Sequence, residues 1–134
     1  MGLFDRFKRK NADRYLNGSK FRESLTSQLA MTPKTLEKLR GYGVTSDKKW
    51  KVEFFFYSNT LDKVQALAKE LNEFGYGVET GSSAGKEKAF IATGWTVPIG
   101  MADQAMREWT EHMCTLAYRH DREFDGWGTT TNQP

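Results

Sequence analysis

The chain has 134 residues and a formal net charge of +3 at pH 7, with 38% hydrophobic, 28% charged and 13% aromatic residues. That length accommodates one domain, and 9 Phe, 5 Tyr and 4 Trp exclude a wholly disordered polymer. A single cysteine, Cys114, excludes an intrachain disulfide and a four-thiolate zinc site, and no run reaches the roughly 18 apolar residues of a membrane span.

Charge divides the chain. Residues 1–49 hold 12 Lys/Arg against 5 Asp/Glu (+7), whereas residues 50–134 hold 8 against 12 (−4). Residues 1–30 read as a basic, weakly ordered leader. In it Leu3, Phe4 and Phe7 share a helical face beside Arg6, Lys8, Arg9 and Lys10. It lacks the apolar core of a signal peptide, so the expected location is the cytoplasm. A basic arm of this kind attracts nucleic acid, anionic lipid or an acidic protein through long-range charge. A solvated arm that binds nothing accounts for the same residues.

The ordered domain is expected over 31–131, with 132–134 a tail. Thr32 before Pro33 reads as an N-cap with proline in the first turn, which predicts a helix through Leu36, Leu39 and Tyr42 that Gly41 and Gly43 stop. Trp50 to Tyr57 (W-K-V-E-F-F-F-Y) predicts a central strand, aromatic toward its end. Leu61, Val64, Leu67, Ala68, Leu71 and Phe74 recur at spacings of three and four, so a helix follows, capped from Ser58–Thr60 and stopped at Gly75. Tyr76 to Thr80 and Ala89 to Val97 predict a hairpin around the turn 81–85. Met101, Ala105, Met106, Trp109, Met113 and Leu116 mark a second long helix to about Tyr118, and Arg122 to Thr129 predicts the last strand.

Strand, helix, strand, strand, helix, strand predicts an α+β ferredoxin-like sandwich. Two right-handed halves form a four-stranded antiparallel sheet with both helices on one face, and the helix at Pro33 is an N-terminal addition. The first and third strands, the most apolar, are expected at its centre.

The segment E-F-D-G-W-G-T, Glu123 to Thr129, resembles the closing motif of the ribonuclease E inhibitor family, the regulators of ribonuclease activity B. K-V-E-F-F-F-Y, the helix with A-L-A-K-E-L and the following G-Y-G-V-E are similar to the family's layout over about residues 34–131. The resemblance implies the ferredoxin-like fold. It also implies a cytoplasmic bacterial protein that binds ribonuclease E and lowers its activity without catalysis of its own. Family members often carry acidic extensions, whereas this chain has a basic leader and ends in T-T-N-Q-P.

No constellation of catalytic groups stands out in the sequence. His112 and His120 lie eight apart, match no metal motif, and read as helix-end cations. Cys114 reads as an inert buried thiol. Gly75, Gly77, Gly81 and Gly85 lack the Lys-Ser/Thr of a phosphate loop, and Gly94 marks a bulge or a close backbone approach. No cofactor, metal or enzymatic activity is expected.

Two features point to binding. The glycines of D-G-W-G permit a bulge that aims Trp127, either as a plug at the end of the sandwich or as a partner hot spot. If Val52, Phe54 and Phe56 face the helices, Phe55 and Tyr57 face the other side of the sheet. The expected partner surface is therefore Phe55, Tyr57 and Trp127 with Glu53 and Asp125 at its edge. The expected partner is a protein, ribonuclease E or a related nuclease. The alternative is an RNA-binding module that stacks bases on this face beside the basic leader. Cover by the leading helix, or self-association into a homo-oligomer, also accounts for exposed aromatics there.

Overall fold

The structure is a computed structural model that describes residues 15–83, 89–131 and 133. The first 14 residues of the basic leader, with Leu3, Phe4 and Phe7, and part of the hairpin turn lie outside the described residues.

Helix α1 spans Gly18–Gly41, and the short strand β1 is Lys49–Trp50. Strand β2 (Glu53–Ser58) leads into helix α2 (Leu61–Glu73). Strands β3 (Gly77–Ser82) and β4 (Phe90–Trp95) form the hairpin, and β5 is Ile99–Gly100. Helix α3 (Asp103–Arg119) and strand β6 (Glu123–Gly128) complete the order.

The sheet runs β3-β4-β2-β6, with every neighbouring pair antiparallel. The first and third strands of the repeat, β2 and β4, are central, as the sequence predicts. Phe54 and Phe56 project into a core with Val64, Leu67 and Leu71 of α2 and Met113, Leu116 and Ala117 of α3. The two long helices thus share the inner face of an α+β, β-α-β-β-α-β sheet. A second core cluster of Leu36, Leu39, Val44, Val52, Met101 and Met106 closes one end. No helix among the described residues is long and apolar enough to cross a membrane.

Two boundaries differ from the sequence reading. Helix α1 does not start at Thr32. Asn17 caps it by accepting the Lys20 N–H at 2.9 Å, and Pro33 lies in its interior. The expected border between leader and domain, 30/31, therefore falls within one continuous helix. Pro33 is exposed, on the solvent side, where a helix best tolerates the missing bond. The buried side is held by packing: Phe21 stacks 4.5 Å from Tyr118 of α3, and Thr32 and Thr110 share a buried hydrogen bond at 2.9 Å.

The strand expected over 50–57 is split as well. Thr96 Oγ1 accepts the Val52 N–H at 3.0 Å, so a side chain takes the ladder position, and the chain pairs with β5 before the break and with β4 after it.

The expected helix stops hold. After α1, Val44 N–H reaches back to Leu39 O at 3.0 Å across Gly43, and after α2, Tyr76 N–H reaches Leu71 O at 3.3 Å across Gly75. Both glycines have positive φ, +89° and +85°.

Candidate functional site

Side chains alternate across a strand, and the ladder partners of a residue share its face. With Phe54 and Phe56 inward, the outward positions of β2 are Glu53, Phe55 and Tyr57, all half-buried. Their partners complete three rows across the sheet. One row is Gly77, Trp95, Glu53 and Gly128; the next is Glu79, Thr93, Phe55 and Gly126; the last is Gly81, Ile91, Tyr57 and Glu123. Trp95 is 37% exposed, more than most rings among the described residues. The charged outward positions in these rows are carboxylates: Glu53, Glu79 and Glu123. Lys51 precedes the ladder.

Strand β6 carries the bulge that its glycines permit. Phe55 pairs with Gly126 and Phe56 with Phe124, which leaves Asp125 as the extra, exposed residue. Gly126 has φ +127°, a conformation that L side chains rarely adopt.

The bulge also sets the direction of Trp127. Its ladder partner is Phe54, on the inner face, and its ring packs edge-on to Trp109 with centroids 6.3 Å apart. The indole N–H donates to Thr32 Oγ1 at 3.0 Å. Thr110 Oγ1 donates to Met106 O at 2.7 Å, which uses its one hydroxyl proton, so Thr32 must donate to Thr110. A directed chain therefore runs Trp127, Thr32, Thr110, Met106 and binds β6, α1 and α3 together. Trp127 is a plug at the end of the sandwich.

Two concavities lie among these residues. A cleft of about 480 Å³ is lined by Glu53, Gly77, Val78, Glu79, Thr93, Gly94 and Trp95. Gly94 makes the close backbone approach that its place in a strand implies, since a Cβ there would stand 1.8 Å from Gly77 O. A smaller pocket of about 210 Å³ lies where α1 meets the bulge, and Phe55, Asp125 and Trp127 line it with Gln28 and Met31. The structure thus gathers three of the five residues singled out from the sequence in one pocket. Glu53 lines the neighbouring cleft, and Tyr57 stands one ladder row beyond Phe55.

Sequence reasoning missed Trp95 and Gln28. Trp95 follows from strand alternation once the register is known. Gln28 carries no signal, because it interrupts the apolar stripe of α1.

The remaining reactive groups are built into the scaffold. Burial, aided by Glu111, pushes the Cys114 thiol up to about 12, so it is an inert core residue at neutral pH. His120 caps α3 and meets Glu70, which also pairs with Arg119, while His112 packs 5.7 Å from the Phe74 ring. Among the described residues no group of three or more His, Cys, Asp or Glu is placed to hold a metal.

Asp121 joins the start of α1 to the rest of the molecule. It accepts the backbone N–H groups of Tyr15 and Leu16 at 2.9 and 2.8 Å and pairs with Lys63. Burial would raise its pKa, but the two N–H donors and Lys63 prevail and hold it below the usual carboxylate value.

A family model described as RraB, regulator of ribonuclease activity B, matches residues 29–129. No curated protein matches the chain. The matched span begins at the middle of α1 and ends one residue past β6, so it contains the whole four-stranded sheet and the bulge.

Proposed function

Because the chain belongs to the family of regulators of ribonuclease activity B, we propose that it binds a nuclease of the ribonuclease E type and lowers its activity without catalysis of its own. The observation that carries this reading is the family match over residues 29–129, most of the 134-residue chain. Such a regulator works in the cytoplasm, where its nuclease processes RNA. It acts by occupying a protein surface, so its effect depends on affinity and shape, and it needs no reactive side chain.

The contact surface in this reading is the outward sheet face: Phe55 and Tyr57, with Glu53 and Asp125 at its margin. Aromatic side chains there supply large contact area, and the carboxylates set the sign of the partner. Trp127 supports this face from beneath by fixing the bulge. The same carboxylates disfavour the RNA-binding alternative, because the phosphates of a strand laid over Phe55 would meet Glu53, Glu79 and Asp125.

The test is cleavage of a labelled RNA by purified ribonuclease E at increasing concentrations of this protein. Cleavage should fall to a plateau, and capture of the nuclease should survive digestion of RNA. Unchanged cleavage and no nuclease capture at saturating protein would overturn the reading.

A further inference from the structure

The pocket at the bulge has an unusual chemical composition. Gln28 is only 8% exposed, yet its amide makes no hydrogen bond among the described residues. The amide opens on the cavity and is not sealed in the core, so it is available to a ligand there. The amide lies over Gly126, where a Cβ would stand 3.5 Å from its Oε1 and 3.7 Å from its Nε2. A Cβ at 126 would make only ordinary van der Waals contact with the amide, so it is the positive φ that calls for glycine there.

The other walls restrict the ligand. Asp125 supplies a carboxylate, Phe55 an aromatic ring, and Met31 and Thr35 the rim on α1; no lining residue is basic. An anion is repelled by Asp125. A plain apolar group would leave both the amide and the carboxylate unpaired. A planar cation satisfies all three walls: two N–H groups for the carboxylate, one for the amide oxygen, and a flat face for the ring.

The surroundings extend the same preference. Glu53, Glu79 and Glu123 occupy the outward rows beside the pocket, and Trp95 stands 37% exposed among them. A chain with one cation in the pocket therefore finds further carboxylates along the sheet.

We propose that the pocket formed by Gln28, Phe55 and Asp125 receives an arginine side chain from a cationic segment of the protein partner, laid across the acidic sheet face. This deepens the reading of that face as the nuclease-binding surface and rests on it. The guanidinium donates to the Asp125 carboxylate and to Gln28 Oε1 and stacks on Phe55. Lysine fits less well, because its ammonium is a point charge that cannot supply a planar fork.

The test uses the full chain and three probes: a short peptide of alternating arginine and glycine, its lysine counterpart, and an oligouridylate. Binding is followed by fluorescence anisotropy, and the side-chain amide signals of Gln28 by NMR. The arginine peptide should bind saturably, move the Gln28 amide signals, and exceed the lysine peptide by about ten-fold. Asp125→Asn and Gln28→Leu should keep the melting temperature within a few degrees and each weaken the arginine peptide by about five-fold or more. Equal affinity for the two peptides, unmoved Gln28 signals, or undiminished binding to both variants would overturn the proposal, as would oligouridylate that displaces the peptide. Nuclease inhibition by the same variants separates the two readings. If they inhibit fully while the arginine peptide fails to bind the wild type, the arginine site falls and the nuclease reading stands; if the wild type binds the peptide but never the nuclease, the nuclease reading falls.

Discussion

Phe55 and Phe56 are neighbours in the chain and face opposite worlds. Phe56 is fully buried, 5.1 Å from the Phe124 ring and 5.8 Å from Phe54. Phe55 lies on the outer surface beside Thr93 and Gly126, at the mouth of a pocket that also holds Asp125 and Gln28. The inner face is filled by aliphatic and aromatic groups from two helices, so its aromatics hold the fold. The outer face is bordered by carboxylates, so in this account its aromatics serve recognition. One strand therefore divides its residues between the core and the proposed partner surface by parity alone.

The largest effect that separates the two faces is a cavity. Phe56→Ala should destabilise the domain by about 3–5 kcal/mol, because the close-packed core cannot collapse around the missing ring. Phe55→Leu keeps apolar bulk at a half-buried site and should cost less than about 1 kcal/mol. Urea denaturation of the two variants measures the contrast. Similar losses at both sites would erase the distinction between the faces.

Arg122 challenges the inner face as a purely apolar layer. It is 2% exposed and its Nε has no hydrogen-bond partner among the described residues. Burial pulls its pKa down to about 10, against the pull of Asp121, so it still carries its charge at neutral pH. A buried charge whose Nε has no bonded partner opposes folding. Arg122→Met should stabilise by about 1–4 kcal/mol, as replacement of buried ionic groups by apolar ones often does. A lower melting temperature in that variant would show that the guanidinium is satisfied in solution.

Asp121 offers a smaller effect with a defined pH signature. Asp121→Asn should cost about 2 kcal/mol at pH 7 by weakening charge-assisted bonds to Tyr15, Leu16 and Lys63. Asparagine also tolerates the φ of +58° found there, so the variant isolates the charge. The folded pKa lies below the ordinary 3.8. The carboxylate's contribution is therefore complete above that value and is lost as pH falls through the folded pKa. Wild type and variant should converge in stability once the pH has fallen below the folded pKa. A constant difference between pH 7 and pH 2 would contradict this.

The smallest stability effect belongs on the outer face. Glu79→Gln, at an exposed position, should leave stability within about 0.5 kcal/mol, while weakening any cationic partner of the sheet. A loss of stability without a loss of binding would place Glu79 in the scaffold.

The architecture was legible wherever the apolar pattern was uninterrupted. Helix α2 and strands β2, β4 and β6 fall within a few residues of their expected places, and the glycines at 43, 75 and 126 do what their positions imply. Helix α1 was legible only in its second half. Its buried side reads Phe21, Leu25, Gln28, Thr32, Leu36 and Leu39, so two polar residues break the stripe in the middle. Thr32 is there for the hydrogen-bond chain from Trp127, and Gln28 faces the pocket. Proline at 33 deepened the break by imitating a helix start. Phe55, Tyr57 and Asp125 could be placed on the outer face from alternation and the bulge glycine. The inward turn of Trp127 and the convergence of Gln28 on Asp125 depend on the register of β6 and on how α1 packs, which no local pattern encodes. Local rules fail at the sites where a residue serves something other than the core.

The central claim is that the outer sheet face is the partner surface. Its most direct test is the affinity of ribonuclease E for the doubly charge-reversed variant Glu53→Lys, Glu79→Lys, with melting temperature measured in parallel. Both positions line one outward cleft, and neither residue belongs to a core cluster. The account predicts an unchanged fold and binding weakened by about ten-fold or more, since like charges across an interface are strongly disfavoured. A folded variant that binds and inhibits the nuclease as well as the wild type would contradict it.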